Sequence, residues 1–129
     1  MMLQAQMNKY LDNSVQTASP AQLLIMLYDG AIRFSKAAIM AIKDGKNEDA
    51  NRNLLKVQAI VSEFEITLDR KSELADGLLK LYEYFKMRLM EANIKKDTAP
   101  VEEVLGYLTE LRETWVAAAR PVASAQRSS

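Results

Sequence analysis

The sequence has 129 residues, the size of one ordinary domain, and 49% of them are hydrophobic, which is enough to bury a core. Seventeen basic residues balance seventeen acidic ones, so the excess positive charge typical of nucleic-acid binders is absent, and we expect no nucleic-acid partner. The chain has neither Cys nor His, which excludes disulfides, thiolate metal sites and His-based catalysis. We therefore expect neither an enzyme nor a cofactor.

The first 18 residues form a polar segment in which Met7, Tyr10, Leu11 and Val15 are apolar. It has no basic start followed by an apolar run, and no later stretch reaches the apolar length of a membrane span. We expect a cytoplasmic protein without membrane insertion. The segment has too few apolar residues to fold alone but enough to lie on a groove, so it could act as a movable cover.

The first helix begins with a strong signal. Ser19 is placed to cap it, Pro20 suits the first helical position, and Gln22 can return a hydrogen bond to the cap. The apolar pattern continues to about Lys43, and Gly45 is well placed to end the helix in the left-handed conformation.

The pair Asp29-Gly30 is a turn signal inside this helix. The apolar spacing nevertheless continues in phase from Leu27 through Ala31 to Phe34, so we expect Gly30 to be helical. Glycine costs about 1 kcal/mol relative to alanine there, and the expected compensation is the close approach of another backbone.

Three further helices are predicted: from after Asn47 to about Leu68, from the cap Ser72 to near Asp97, and from around Pro100 to before Pro121. Short connections between long helices favour antiparallel neighbours. The predicted fold is all-α, an antiparallel up-down-up-down four-helix bundle over residues 19–120. It follows the N-terminal cap segment (1–18) and precedes a small, polar tail (121–129) that we expect to be disordered.

These helices carry more apolar positions than one core face requires. The positions beyond the core faces are Ile25, Tyr28, Ile32 and Ile39 in the first helix, Leu55 and Ile66 in the second, and Leu79, Met87, Met90 and Ile94 in the third. They either widen the buried faces of the bundle or line grooves for a partner. The Met and Ile content favours a groove, because methionine adapts to varied surfaces.

Several stretches resemble the flagellar secretion chaperone FliS family. They are Tyr10, "VQTASP" (15–20), "MLYDGAIRF" (26–34), "LYEYFKMRL" (81–89), "EANIKKD" (91–97) and "ELRETW" (110–115), and together they cover nearly the whole chain in order. The resemblance implies a cytoplasmic bundle that binds the C-terminal segment of flagellin on hydrophobic grooves. It also implies that the bundle prevents early polymerisation and presents flagellin to the export-gate protein FlhA.

In that family the segment around the position of Tyr10 contributes to substrate binding and can cover the groove, and Met7 is similar in role to an aliphatic residue there. An anti-sigma factor or a second chaperone is a possible further partner. The alternative hypothesis is a structural bundle that uses its extra apolar stripes for self-association.

Overall fold

The computed structural model describes residues 19–119, and within this range the chain forms four α-helices and no strand. They are α1 (Pro20–Lys43), α2 (Asn47–Thr67), α3 (Ala75–Lys95) and α4 (Thr98–Ala119). Each helix packs on the next, and α4 also packs on α1, which closes the bundle. Because the connections are short, neighbouring helices are antiparallel. The predicted fold class is confirmed, whereas the segment 1–18 and the tail 121–129 lie outside the described residues.

Both ends of α1 follow the sequence signals. The Ser19 hydroxyl accepts a hydrogen bond from the Gln22 backbone N–H at 3.2 Å, and the Gln22 side-chain oxygen accepts one from the Ser19 N–H at 2.9 Å. After the helix, Gly45 has a φ of 71°, and the Lys46 N–H donates to the Ala41 carbonyl at 2.8 Å. The capping box and the glycine stop are both confirmed.

The starts of the last two helices differ from the sequence pattern by a few residues. Ser72 accepts a hydrogen bond from the Leu74 N–H, which forms a turn, and α3 begins only at Ala75. Leu74 precedes the helix and is exposed. In α4, Pro100 lies in the first turn, where a missing N–H removes no intrahelical bond.

Aromatic rings from three helices meet in the core. The Phe64 ring of α2 stacks on Tyr28 of α1, with centroids 4.3 Å apart, and lies 5.5 Å from the ring of Tyr82 in α3. The hydroxyls of Tyr28 and Tyr82 are 3.2 Å apart and hydrogen-bonded, so two buried polar groups satisfy one another. This cluster holds α1, α2 and α3 together at the end of the bundle where α1 begins.

Gly30 is buried within the continuous helix α1, as its in-phase apolar neighbours predicted. A Cβ atom at this position would lie 3.4 Å from the Ile60 Cδ1 of α2. The element that approaches Gly30 is therefore a side chain, and the expected backbone contact was wrong. The adjacent Asp29 carboxylate is exposed and accepts a hydrogen bond from the Arg112 guanidinium of α4.

Candidate partner-binding surface

The largest exposed apolar side chains of the bundle concentrate on α2 and α3. Ile66 is 73% exposed and Ile94 is 81% exposed, and Leu55, Met87 and Met90 are each more than half exposed. Within α3 the spacing from Met87 to Met90 to Ile94 keeps all three on one side of the helix. Five of the residues predicted to form grooves are therefore accessible to a partner.

Leu79, the remaining predicted groove residue of α3, is half-buried. It lies three turns before Met90 on the same side of the helix, where it continues the row toward the start of α3. We call these apolar residues of α2 and α3 together the apolar face. Its members are Leu55, Ile66, Leu79, Met87, Met90 and Ile94.

Two polar contacts set the register between α2 and α3. At one end, the Asn93 side-chain amide donates to the Asn51 side-chain oxygen at 2.7 Å. Further along, the Lys86 ammonium pairs with the Glu65 carboxylate at 2.5 Å. One turn inward from the asparagine pair, Leu55 and Met90 reach the same level of the bundle. The exposed rows of the two antiparallel helices therefore run side by side, and the apolar face spans both.

The predicted stripe on α1 is largely not a free groove. Tyr28 is completely buried and Ile39 is 8% exposed, so the expectation that they line a groove was wrong. Ile32 is half-buried against the core and Ile25 is half-buried at the start of the helix. Tyr28 packs in the aromatic cluster with α2 and α3, and α4 packs along the side of α1 that follows it. A helix with two neighbours must bury a wide face, the alternative that the sequence left open.

A polar network covers the junction between α3 and α4. Arg88 donates to the Glu103 carboxylate at 2.9 Å and to the Glu91 carboxylate at 2.7 Å, while the Tyr84 hydroxyl donates to Glu103 at 2.6 Å. The hydrogen bond from Tyr84, and then that from Arg88, lower the pKa of Glu103 below its ordinary value. This side of the bundle is polar and internally paired, in contrast to the apolar face.

Sequence reasoning missed three exposed apolar side chains, Met40, Leu74 and Tyr107. Met40 could have been found, because it falls on the charged side of α1, one turn after Lys36 and away from the core positions. The ring of Tyr107 in α4 is tilted by 42° relative to that of Phe85, with centroids 5.7 Å apart. Neither residue belongs to the apolar face. Met7, Tyr10 and Leu11 lie outside the described residues.

In residues 19–119, no cluster of three or more His, Cys, Asp or Glu side chains is close enough to hold a metal ion. The same helices include none that is long and apolar enough to cross a membrane. The fold and the apolar face together define a class of protein, a four-helix bundle with an exposed surface suited to binding an apolar segment.

Comparison with known proteins identifies the family. The chain matches the family model described as flagellar protein FliS over residues 2–122, and it belongs to the FliS family. It is 42% identical over 115 residues to the flagellar secretion chaperone FliS of Bacillus subtilis (strain 168), covering 89% of this chain and 86% of that protein. It is 31% identical over 108 residues to the chaperone of that name from Escherichia coli (strain K12), covering 81% and 79%.

A solved structure supports the fold. The chain superposes on a crystal structure of a flagellar chaperone from bacteria with a TM-score of 0.74, covering 93% of this chain and 98% of that one. The sequences are 20% identical, so this similarity concerns the arrangement of the helices.

Proposed function

We propose that this protein is a secretion chaperone that binds the C-terminal segment of flagellin along the apolar face. The observation that carries the proposal is the paired row of exposed Leu, Ile and Met side chains on α2 and α3 in a member of the FliS family. Its relatives are named flagellar secretion chaperones. Covering such a segment would keep flagellin from polymerising before export, and the complex would then be delivered to FlhA.

The dimensions of the apolar face suit a helix or an extended segment. From Leu79 to Ile94 the row on α3 is about 22 Å long at 1.5 Å per residue. A partner helix of about four turns, with apolar residues at three- and four-residue spacing, would cover it. Each large side chain that leaves water contributes up to about 1.5–3 kcal/mol, and ordering the bound segment offsets part of this gain.

Calorimetry tests the client and the site together. We expect one-to-one binding to full-length flagellin and no binding heat with flagellin that lacks its C-terminal segment. Met90→Glu places a charge on the apolar face and should weaken binding by about 2 kcal/mol or more, because the complex would bury that charge. Thr109→Glu introduces the same charge at an exposed position of α4 and serves as the matched control. Unchanged affinity for truncated flagellin would refute the proposed client.

The N-terminal segment has its own test. If Tyr10 contacts the client, Tyr10→Ala should weaken flagellin binding by about 1–3 kcal/mol and change unfolding stability by less than about 0.5 kcal/mol. Deleting residues 2–12 separates a contact from a cover: weaker binding in both variants indicates a contact, and tighter binding in both indicates a cover. Unchanged affinity in both variants would remove Tyr10 from the site.

A second copy of this chain is the alternative occupant of the apolar face. Size-exclusion chromatography with mass measurement distinguishes the two, because self-association would give a stable oligomer that Met90→Glu converts into monomers. A monomer that binds flagellin with the predicted stoichiometry supports the chaperone function.

A further inference from the structure

The outer side of α1 carries a row of basic residues. Arg33, Lys36 and Lys43 are exposed, and Met40 among them is more than half exposed. Their spacing of three, four and three residues places all four on one side of the helix. We call these four residues the basic stripe. We propose that the basic stripe is a second docking surface, and that it binds an acidic amphipathic helix of a partner protein.

Two cations, Arg33 of the basic stripe and Lys56 of α2, lie near the ring of Phe34. The guanidinium carbon of Arg33 lies 5.2 Å from the centroid of Phe34, and the ammonium of Lys56, from α2, lies 4.9 Å from the same centroid. Both distances are within the range of cation–π attraction. The ring thus attracts one cation from the basic stripe and one from α2, which adds a positive charge at the Arg33 end of the basic stripe.

The internal carboxylates do not neutralise this region. Among residues 19–119, none of Arg33, Lys36, Lys43 and Lys56 lies within ion-pair distance of a carboxylate. Asp29, one turn before Arg33, pairs with Arg112, and Asp49 of α2 pairs with Arg52. The whole chain has no net charge, so the basic stripe is a local separation of charge and not a general excess. Such a patch attracts a surface of opposite sign.

The shape of the basic stripe favours a helix over an extended anionic surface. It spans about 15 Å from Arg33 to Lys43, or about three turns. Asp44 directly follows it, so negative charge bounds the end of the basic stripe after Lys43. A membrane with anionic lipids would meet this carboxylate, whereas a helix of matching length would not. Met40 in the middle provides an apolar contact for a partner residue between the acidic positions.

The basic stripe is independent of the apolar face. α1 and α3 both pack on α2 and on α4, so they lie diagonally across the bundle, and their outer sides point away from each other. A partner on the basic stripe would leave the apolar face free. Binding to both surfaces at once would allow the protein to connect a client to a second component.

The test uses a fluorescein-labelled helical peptide of about 18 residues that carries Glu at three- and four-residue spacing with one Leu between them. Fluorescence anisotropy measures its binding to the full chain at low and high salt. We expect Arg33→Glu/Lys36→Glu to weaken binding by about tenfold or more, because two attractions become repulsions. Lys71→Glu/Lys80→Glu changes the net charge equally at exposed positions on the other side and should retain binding. High salt should weaken binding to the unaltered chain.

Equal losses in the two double variants would overturn the proposal, because the peptide would then respond only to net charge. Absence of peptide binding would overturn it as well, and so would co-sedimentation with phosphatidylglycerol vesicles that only the Arg33→Glu/Lys36→Glu variant loses. Circular dichroism verifies that each variant is folded. If the charge reversal disturbs α1, the milder Lys36→Gln/Lys43→Gln should still weaken peptide binding several-fold.

Discussion

At the scale of single residues, neighbours in sequence have different roles because a helix turns by about 100° per residue. Leu89 is fully buried, whereas the next residue, Met90, is more than half exposed. Leu89 touches the core, and Met90 contributes to the apolar face. The same substitution at these two positions should therefore affect folding at position 89 and partner binding at position 90.

We predict that Leu89→Glu unfolds the bundle, whereas Met90→Glu changes the free energy of unfolding by less than about 0.5 kcal/mol. The charge at position 89 would be buried without a partner, which costs several kcal/mol, and the charge at position 90 would remain in water. Urea unfolding followed by circular dichroism measures both. A similar loss of stability in the two variants would mean that Met90 belongs to the core and would remove it from the apolar face.

At the scale of the helices, the cap of α1 offers a direct measurement. Ser19→Ala removes the acceptor for the Gln22 N–H, and we expect a loss of about 1 kcal/mol in the free energy of unfolding. Ser19→Asp keeps an acceptor oxygen and should retain most of the stability. If alanine and aspartate behave alike, the capping box contributes nothing measurable to the bundle.

Two helical glycines, Gly30 in α1 and Gly106 in α4, test whether the packing of α1 against α2 leaves room for a methyl group. Gly106 is the reference because it lies away from that contact. In Gly106→Ala the new Cβ meets no atom within 4 Å, so the variant should gain about 1 kcal/mol from helix propensity alone. In Gly30→Ala the Cβ meets Ile60 at an ordinary contact distance of 3.4 Å, so we expect a stabilisation of similar size. Thermal unfolding compares the two variants. Destabilisation by Gly30→Ala alone would show that α2 packs too tightly there to accept a methyl group.

The ends of α1 were predictable because their signals are local, as at Ser19, Gln22 and Gly45. The burial of the second apolar stripe was not predictable from one helix, because it depends on which neighbour lies beside it. Ile39 of α1 is buried because α4 packs along that side, whereas Ile94 of α3 faces outward. Periodicity alone places both residues in an apolar stripe beyond the core face of their helix. The packing of the four helices decides which apolar row becomes core and which stays available to a partner.

At the scale of the whole molecule, the absence of His leaves no side chain whose ordinary pKa lies between pH 5 and 8. The groups with shifted pKa values lie outside this range on both sides. Burial raises the pKa of Tyr28 and of Tyr82 above the ordinary phenol value. Hydrogen bonds lower the pKa of Glu103, mainly from Tyr84, and that of Glu91, mainly from Lys95. The stability of the fold should therefore be flat near neutrality and decline at both extremes.

The direction of each decline follows from proton binding in the folded and unfolded states. The tyrosines contribute stability below the unfolded pKa of about 10, and they lose it as pH rises toward their higher folded values. The two glutamates contribute stability above the unfolded pKa of about 4.3, and they lose it as pH falls through their lower folded values. We expect a constant urea midpoint between about pH 6 and 9, with losses beyond both limits.

Two variants assign these losses to their groups. Glu103→Gln should slightly lower the free energy of unfolding at neutral pH and should reduce the loss of stability in acid. The reason is that glutamine does not ionise, so this position no longer binds protons differently in the folded and unfolded states. Tyr82→Phe should reduce the decline in alkali in the same way, because burial raises the pKa of Tyr82 in the folded state. A midpoint that varies steadily between pH 6 and 9 would contradict this account, because it would require a titrating group that the helices do not provide.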